Sequence, residues 1–198
     1  MGAPIIPDYA GANVRGIVPA LLGPASWSSG LPEWMPEPVA GSDGVVLLVL
    51  DGLGWDQLNA HRELMPTVAA MTGGPIHTVA PTTTATALTS ITTGLTPAEH
   101  GVIGYRIVLG GDVVNMLRWS TADNAVRRSH PPGDVQPFEP FLGHTVPVVS
   151  PWEQQNSAFS EAHLPGCEPV GWRAASSIAV EARHQIEAGQ RFVFWYYG

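Results

Sequence analysis

The chain has 198 residues, of which 44% are hydrophobic and 13% are charged, so it is long enough for one domain with a sizeable core. Its net charge of -8 argues against binding to a nucleic-acid polymer. Its single cysteine, Cys167, excludes an internal disulfide, and no apolar run is long enough to span a bilayer. Because the first residues also lack a signal-peptide pattern, we expect a soluble cytoplasmic protein without a membrane partner.

Residues 1–42 are rich in proline and glycine, which predicts an N-terminal arm of turns with one short helix at Ile17–Leu22. In residues 43–198, apolar runs are separated by turn residues, and neither a repeat nor a second domain is evident. We therefore predict an arm followed by a single domain.

Two strand–helix pairs are predicted at the start of this domain. Val45–Leu50 is an apolar run typical of a central strand that is buried on both faces, and residues 55–71 have helical spacing. Residues 76–80 predict a second strand, followed by a helix at Thr84–Thr93 that ends at Gly94. This alternation favours an α/β fold with a doubly wound, mostly parallel sheet.

The second half of the chain contains further predicted elements. A hairpin around Gly110 and Gly111 is predicted at residues 103–119. A loop is predicted at residues 120–143, and a strand is predicted at residues 146–149. Residues 172–187 predict an amphipathic helix with residues 178, 179, 182 and 186 on its apolar face. Phe192–Tyr197 predicts a further buried strand. Because a native terminus seldom follows an aromatic core strand directly, we expect the chain to be part of a longer domain.

Two groups of polar residues follow predicted strands, at the edge of the sheet where open α/β folds bind ligands. Asp51 directly follows the first strand, where a carboxylate suits a divalent metal ion. The second group is Thr82, Thr83 and Thr84, which lie at the start of a predicted helix. A helix N-terminus attracts phosphate, and a hydroxyl placed there can serve as a nucleophile. Taken alone, each group is more simply explained as a turn or a helix cap. Their combination predicts a shared site.

Three segments together resemble a known family. They are Asp51-Gly after a strand, Pro-Thr-Thr-Thr-Ala-Thr at residues 81–86, and Thr-Gly-Leu-Thr-Pro-Ala-Glu-His-Gly at residues 93–101. This pattern is similar to that of the type I phosphodiesterase/nucleotide pyrophosphatase family of the alkaline phosphatase superfamily. The resemblance implies that residues 43–198 form the N-terminal half of an alkaline phosphatase-like catalytic domain.

The resemblance also implies a chemistry. Family members hydrolyse phosphodiester or pyrophosphate bonds of small phosphate esters with two divalent metal ions, usually zinc, and a threonine nucleophile. The family spacing places the nucleophile at Thr84, and Asp51 and Thr84 would ligate one metal. Tyr105 stands where many members bind a phosphate oxygen through asparagine, so it is the candidate substrate-binding residue. We expect His100 to make a structural hydrogen bond.

The family's other metal ligands are absent from this sequence, which contains neither Asp-x-x-x-His nor Asp-His. We therefore expect a truncated and inactive portion of the enzyme, with most ligands beyond Gly198. Two alternatives stay open. One is a related enzyme of the same superfamily, namely a phosphatase, a phosphonate hydrolase or a phosphomutase. The other is a non-catalytic domain that binds a phosphate-bearing ligand or a protein. The phosphodiesterase hypothesis predicts that Asp51 follows a central strand, and it requires Asp51 to converge with Thr84.

Overall fold

The computed structural model describes residues 5–24, 30–121 and 129–198. In chain order, the strands of this part are β1 (Val45–Leu50), β2 (Arg106–Leu109), β3 (Asp112–Asn115), β4 (Pro147–Pro151), β5 (Glu168–Trp172) and β6 (Phe192–Tyr197). Four of them form a parallel sheet in the order β1-β6-β4-β5. β2 and β3 form an antiparallel hairpin.

Short helices connect the strands. In chain order they are α1 (Ile17–Leu22), α2 (Trp55–Ala60), α3 (Pro66–Ala69), α4 (Thr84–Thr93), α5 (Pro97–His100), α6 (Pro132–Val135), α7 (Ala158–His163) and α8 (Ile178–Glu187). Single 3-10 turns lie at Val14–Gly16, Glu37–Val39, Arg62–Leu64, Pro140–Gly143, Trp152–Gln154 and Ala175–Ser177. Within the described ranges, none of the helices has the length and apolar composition needed to cross a membrane.

The sheet is covered on both faces, because successive side chains of a strand point in opposite directions. On β6, Phe192, Phe194 and Tyr196 join a core that also contains residues of α1, α4 and α7. Val193 and Trp195 pack on the opposite face, in a smaller cluster with residues of α8. Helices therefore flank a parallel sheet on both sides, which confirms the predicted α/β class.

Helix α4 is buried around most of its circumference, although it is rich in threonine. The hydroxyls of Thr89 and Thr93 donate to backbone carbonyl oxygens four residues earlier, at 2.8 and 2.6 Å. The hydroxyl of Ser90 bonds to Nε2 of His100 at 2.8 Å. Because buried hydroxyls need partners, these bonds let a polar helix lie in the core. Gly94 ends the helix with φ of 74°, as predicted.

The described part of the N-terminal arm packs against this core. Val18 and Leu21 of α1 are almost completely buried in the same cluster as α4. The Asn13 side chain is also buried, and its backbone pairs with His77 in an isolated parallel bridge. The predicted helix at Ile17–Leu22 is confirmed.

Several predicted elements are confirmed with nearly the predicted bounds. They are the strands β1, β4 and β6, the helix α4 and the hairpin around Gly110 and Gly111. The helix predicted at residues 172–187 begins later, at Ile178, and residue 179 is exposed rather than on the buried face. The loop predicted at residues 120–143 contains α6 and a 3-10 turn, and its residues 122–128 lie outside the described residues.

Other predicted elements are wrong. Residues 55–71 form α2, a 3-10 turn and α3 instead of one helix, because Pro66 can begin a helix but cannot donate within one. Residues 76–80 form no strand. Pro75 and Pro81 flank them and lack N–H donors, and the bridge through His77 is the only one they form with other described residues.

The sheet itself differs from the prediction at both of its edges. β1 pairs with β6 alone, so within the described residues it is an edge strand and not the central strand predicted. β5 was not predicted, since Pro169 and Gly171 are unfavourable in a strand. Its position at the opposite edge explains why they are tolerated. β6, with its aromatic side chains, is in the middle.

Candidate active site

Asp51 lies at the carboxyl end of β1, as the sequence predicts. Its N–H donates to the carbonyl oxygen of Tyr197 at 2.8 Å, which extends the pairing of β1 with β6 by one residue. Its carboxylate is exposed and accepts a hydrogen bond from the hydroxyl of Tyr196 at 2.7 Å. Burial, followed by this bond to the Asp51 carboxylate, raises the pKa of Tyr196 above its usual value. Tyr196 therefore remains a protonated donor that orients Asp51.

Thr84 is the first residue of α4, and Thr83 is its extended N-cap. The hydroxyl of Thr82 donates to the carbonyl oxygen of Val79 at 2.9 Å, and the hydroxyl of Thr83 lies 3.0 Å from that of Thr86. By contrast, the hydroxyl of Thr84 forms no hydrogen bond within the described residues. Of the three threonines, Thr84 therefore has the hydroxyl that is free to meet a ligand.

A cavity of about 180 Å³ opens beside Thr84. Thr84 and Leu88 of α4 form one part of its wall, and Phe194 and Tyr196 of β6 form another. Tyr196 thus contacts the Asp51 carboxylate and also lines the cavity that Thr84 lines. Asp51 is not among the described residues that line the cavity, and Tyr196 is the residue that connects its carboxylate to the cavity beside Thr84. The hydroxyl of Thr84 lies at a helix N-terminus, which suits an anionic ester because helix N-termini stabilise negative charge.

A family profile for type I phosphodiesterase / nucleotide pyrophosphatase matches residues 45–188, which is more than two thirds of the chain. The chain belongs to the type I phosphodiesterase family. Comparison with curated proteins and with solved structures gives no match. The matched range includes Asp51, Thr84 and most of the cavity wall, so the family assignment covers most of the candidate site.

Type I phosphodiesterases are hydrolases that generally depend on metal, and the donors of this chain can be compared with that requirement. Asp51 and Thr84 supply two oxygens, whereas tight zinc sites have three or more protein ligands. Within the described residues, no three His, Cys, Asp or Glu side chains are grouped so that they could hold a metal ion. The described donors do not, by themselves, complete a catalytic metal centre.

Two other residues singled out in the sequence lie away from the cavity wall. Tyr105 precedes β2 and is 44% exposed, and its side chain does not line the cavity beside Thr84. Its role in substrate binding stays a prediction. His100 is buried and bonds to Ser90 through Nε2 and to the N–H of Val102 through Nδ1. These are structural hydrogen bonds, as predicted for His100.

Sequence reasoning missed the far wall of the cavity. This wall comes from the end of β4, the 3-10 turn after it and α7, and it includes Ser150, Ser157 and His163. The available signal was Ser157, whose hydroxyl caps α7 by accepting a hydrogen bond from the N–H of Ser160. That pattern predicts a helix start but does not reveal that the helix faces Thr84.

Proposed function

We propose that this chain carries the nucleophile of a phosphoester hydrolase, and that Thr84 attacks phosphorus in a phosphodiester or pyrophosphate bond. The main support is the free hydroxyl of Thr84 at the N-terminus of a buried ten-residue helix. Family membership supports the same reaction class. Tyr196 lines the cavity that Thr84 lines and bonds to the Asp51 carboxylate, and this indirect link supports a shared site.

The proposed reaction has two steps. The hydroxyl oxygen of Thr84 forms a bond to phosphorus while the opposite P–O bond breaks, its proton passes to water, and the leaving alcohol or phosphate takes up a proton from water. Water then attacks phosphorus, the bond to Thr84 breaks, and the phosphate product and the hydroxyl of Thr84 are released. The backbone N–H groups of the first turn of α4 lack helical partners and would stabilise negative charge on the phosphate oxygens. Burial of α4 would hold these groups in position.

Metal use forms part of the same proposal. Asp51 and Thr84 would serve as ligands of one of two divalent ions, and zinc would fit their oxygen donors. Since these donors are too few for tight binding, we propose that the 198-residue chain alone has little or no activity. Tyr196 would keep one carboxylate oxygen of Asp51 in place and leave the other for a metal ion.

The test is hydrolysis of bis(p-nitrophenyl) phosphate, an aryl phosphodiester, by the intact chain in saturating zinc. Residual activity should fall by about a thousandfold or more in Thr84→Ala, or to the rate without protein if that is reached first. Thr82→Ala and Thr83→Ala are matched controls from the same turn, and they should remain within about tenfold of the wild type because their hydroxyls bond within the protein.

Other outcomes of this assay separate the alternatives. If Thr83→Ala were the inactive variant, the proposed nucleophile would be wrong by one residue. If the wild type exceeded the zinc-only rate and Thr84→Ala retained that activity, the proposed role of Thr84 would be overturned. A wild type that binds inorganic phosphate, does not exceed the zinc-only rate and keeps its phosphate affinity in Thr84→Ala would favour a non-catalytic phosphate-binding domain.

A further inference from the structure

The described residues that line the cavity beside Thr84 form a mainly apolar wall without a cationic side chain. Within the described residues, its lining contains no lysine or arginine, and its one carboxylate, Glu153, is exposed. Leu88, Val148 and Phe194 form apolar parts of the wall. An anionic phosphate group would gain little from such a wall. The lining therefore suits an uncharged group.

The size of the cavity limits what this group can be. A cavity of about 150 Å³ is sufficient for benzene. The volume beside Thr84 is about 180 Å³. It therefore has room for one ring with one or two small substituents, but it is too small to enclose a nucleoside.

Two buried polar side chains in the wall have unused hydrogen-bonding capacity. His163 is 4% exposed, and its Nδ1 donates to the carbonyl oxygen of Phe159 at 2.6 Å. Ser150 is 7% exposed. Within the described residues, neither Nε2 of His163 nor the hydroxyl of Ser150 has a hydrogen-bond partner. Because both residues line the cavity, both are available to a ligand.

The bond to Phe159 also determines what His163 can offer. A carbonyl oxygen only accepts, so Nδ1 must carry the ring proton and Nε2 must carry the lone pair. Burial lowers the pKa of His163 to about 4, which keeps the ring neutral near pH 7. The ring also stacks on Phe159, with centroids 4.1 Å apart, so its orientation is fixed. His163 is thus a hydrogen-bond acceptor in a cavity wall.

We propose that this cavity binds the uncharged organic group of the phosphoester, and that this group is a single ring whose O–H or N–H donates to Nε2 of His163. This inference rests on the proposed function, because Thr84 in the cavity wall would hold the phosphorus. His163 is then a specificity-determining residue. It favours ring substrates with a hydrogen-bond donor over equally large rings without one.

Binding of phosphate-free probes tests the proposal without requiring catalysis. Resorcinol is a single ring with O–H donors, and its dimethyl ether has the same ring without a donor. Ligand-detected NMR on the intact chain should show tighter binding of resorcinol. His163→Asn retains an amide donor near the position of Nδ1 and deletes Nε2, so it should weaken resorcinol binding by about three- to tenfold. Binding of the dimethyl ether should be unchanged.

Two further measurements keep the test valid if His163→Asn fails to fold. In the wild type, the Nε2 resonance of His163 should shift on addition of resorcinol and not on addition of the ether. Leu117→Trp, at a half-buried wall position, should weaken binding of both probes by filling the cavity.

Equal affinity of the wild type for both probes would overturn the proposal, as would an unchanged affinity for resorcinol in His163→Asn. Absence of hydrolysis at Thr84 would leave these binding results intact. Conversely, hydrolysis without probe binding would contradict only the role of the cavity.

Discussion

Acid destabilisation through two buried histidines is a direct consequence of this structure. Burial lowers the pKa of His100 and of His163 from 6.5 to about 4. Nδ1 of His100 accepts from the N–H of Val102, so protonation there would break a buried hydrogen bond. Protonation of His163 would place a charge on Nε2 in the mainly apolar cavity wall. Both rings are therefore neutral in the folded chain near pH 7.

The sign and size of the effect follow from these pKa values. Below about pH 6.5 the unfolded chain takes up protons that the folded chain does not, so the free energy of unfolding falls as the pH falls. Between about pH 7 and about pH 5 the loss is about 2 kcal/mol for each histidine. It approaches about 3 kcal/mol for each as the pH reaches the folded pKa. For a domain of typical marginal stability, such a loss is large.

Urea unfolding at pH 7 and at pH 5 measures this loss of stability. His100→Asn and His163→Asn should each lose about 2 kcal/mol less than the wild type on acidification, whatever their stability at neutral pH. His184→Asn is the control, because His184 is exposed on α8, and it should behave as the wild type. The reasoning is refuted if both buried-site variants retain the full pH dependence of the wild type.

Three further predictions concern zinc binding and the ends of helices α4 and α5. Zinc calorimetry should show weak binding by the intact chain, and tight stoichiometric binding that Asp51→Ala abolishes would reveal additional ligands. Gly94→Ala should lower the free energy of unfolding in urea by about 1–3 kcal/mol, because φ at this position is 74° and the new Cβ would lie 2.7 Å from Cγ of Pro19. Gly74→Ala, with no atom within 4 Å of its Cβ, should be neutral, and a larger loss there than at Gly94 would contradict the steric argument. Thr96→Ala removes one side of the capping box of α5 and should lower the free energy of unfolding by about 1 kcal/mol. An unchanged urea midpoint would show that the capping box contributes nothing to stability.

Local sequence patterns predicted those helices, strands and turns whose own residues favour the structure that they adopt in the fold. The apolar run of β1, the glycine after α4 and the paired glycines of the hairpin each specify one structure through short-range chemistry. Pairing order depends instead on contacts between distant residues. The edge position of β1 and the presence of β5 could not be predicted, because Pro169 suggests a loop until its place at the sheet edge is known.

In the candidate site, too, some residues could be predicted from local sequence and others only from the fold. Asp51 and Thr84 could be selected because each follows a recognisable element boundary and a family motif. Tyr196 and His163 could not, since an aromatic residue in a strand and a histidine in a short helix are usually parts of the core. Only the fold brings Tyr196 to Asp51 and His163 to the cavity of Thr84.

The hydrogen bond between Tyr196 and Asp51 has a consequence for the order of folding. It joins residues 145 positions apart, and it depends on the register that pairs Leu50 with Tyr197. A slip of one residue in this pairing would turn Tyr196 to the opposite face of the sheet. Contacts of such high sequence separation close slowly, because loop entropy is lost before any contact stabilises them. We therefore expect the carboxylate of Asp51 to be oriented late in folding, only when β6 docks beside β1.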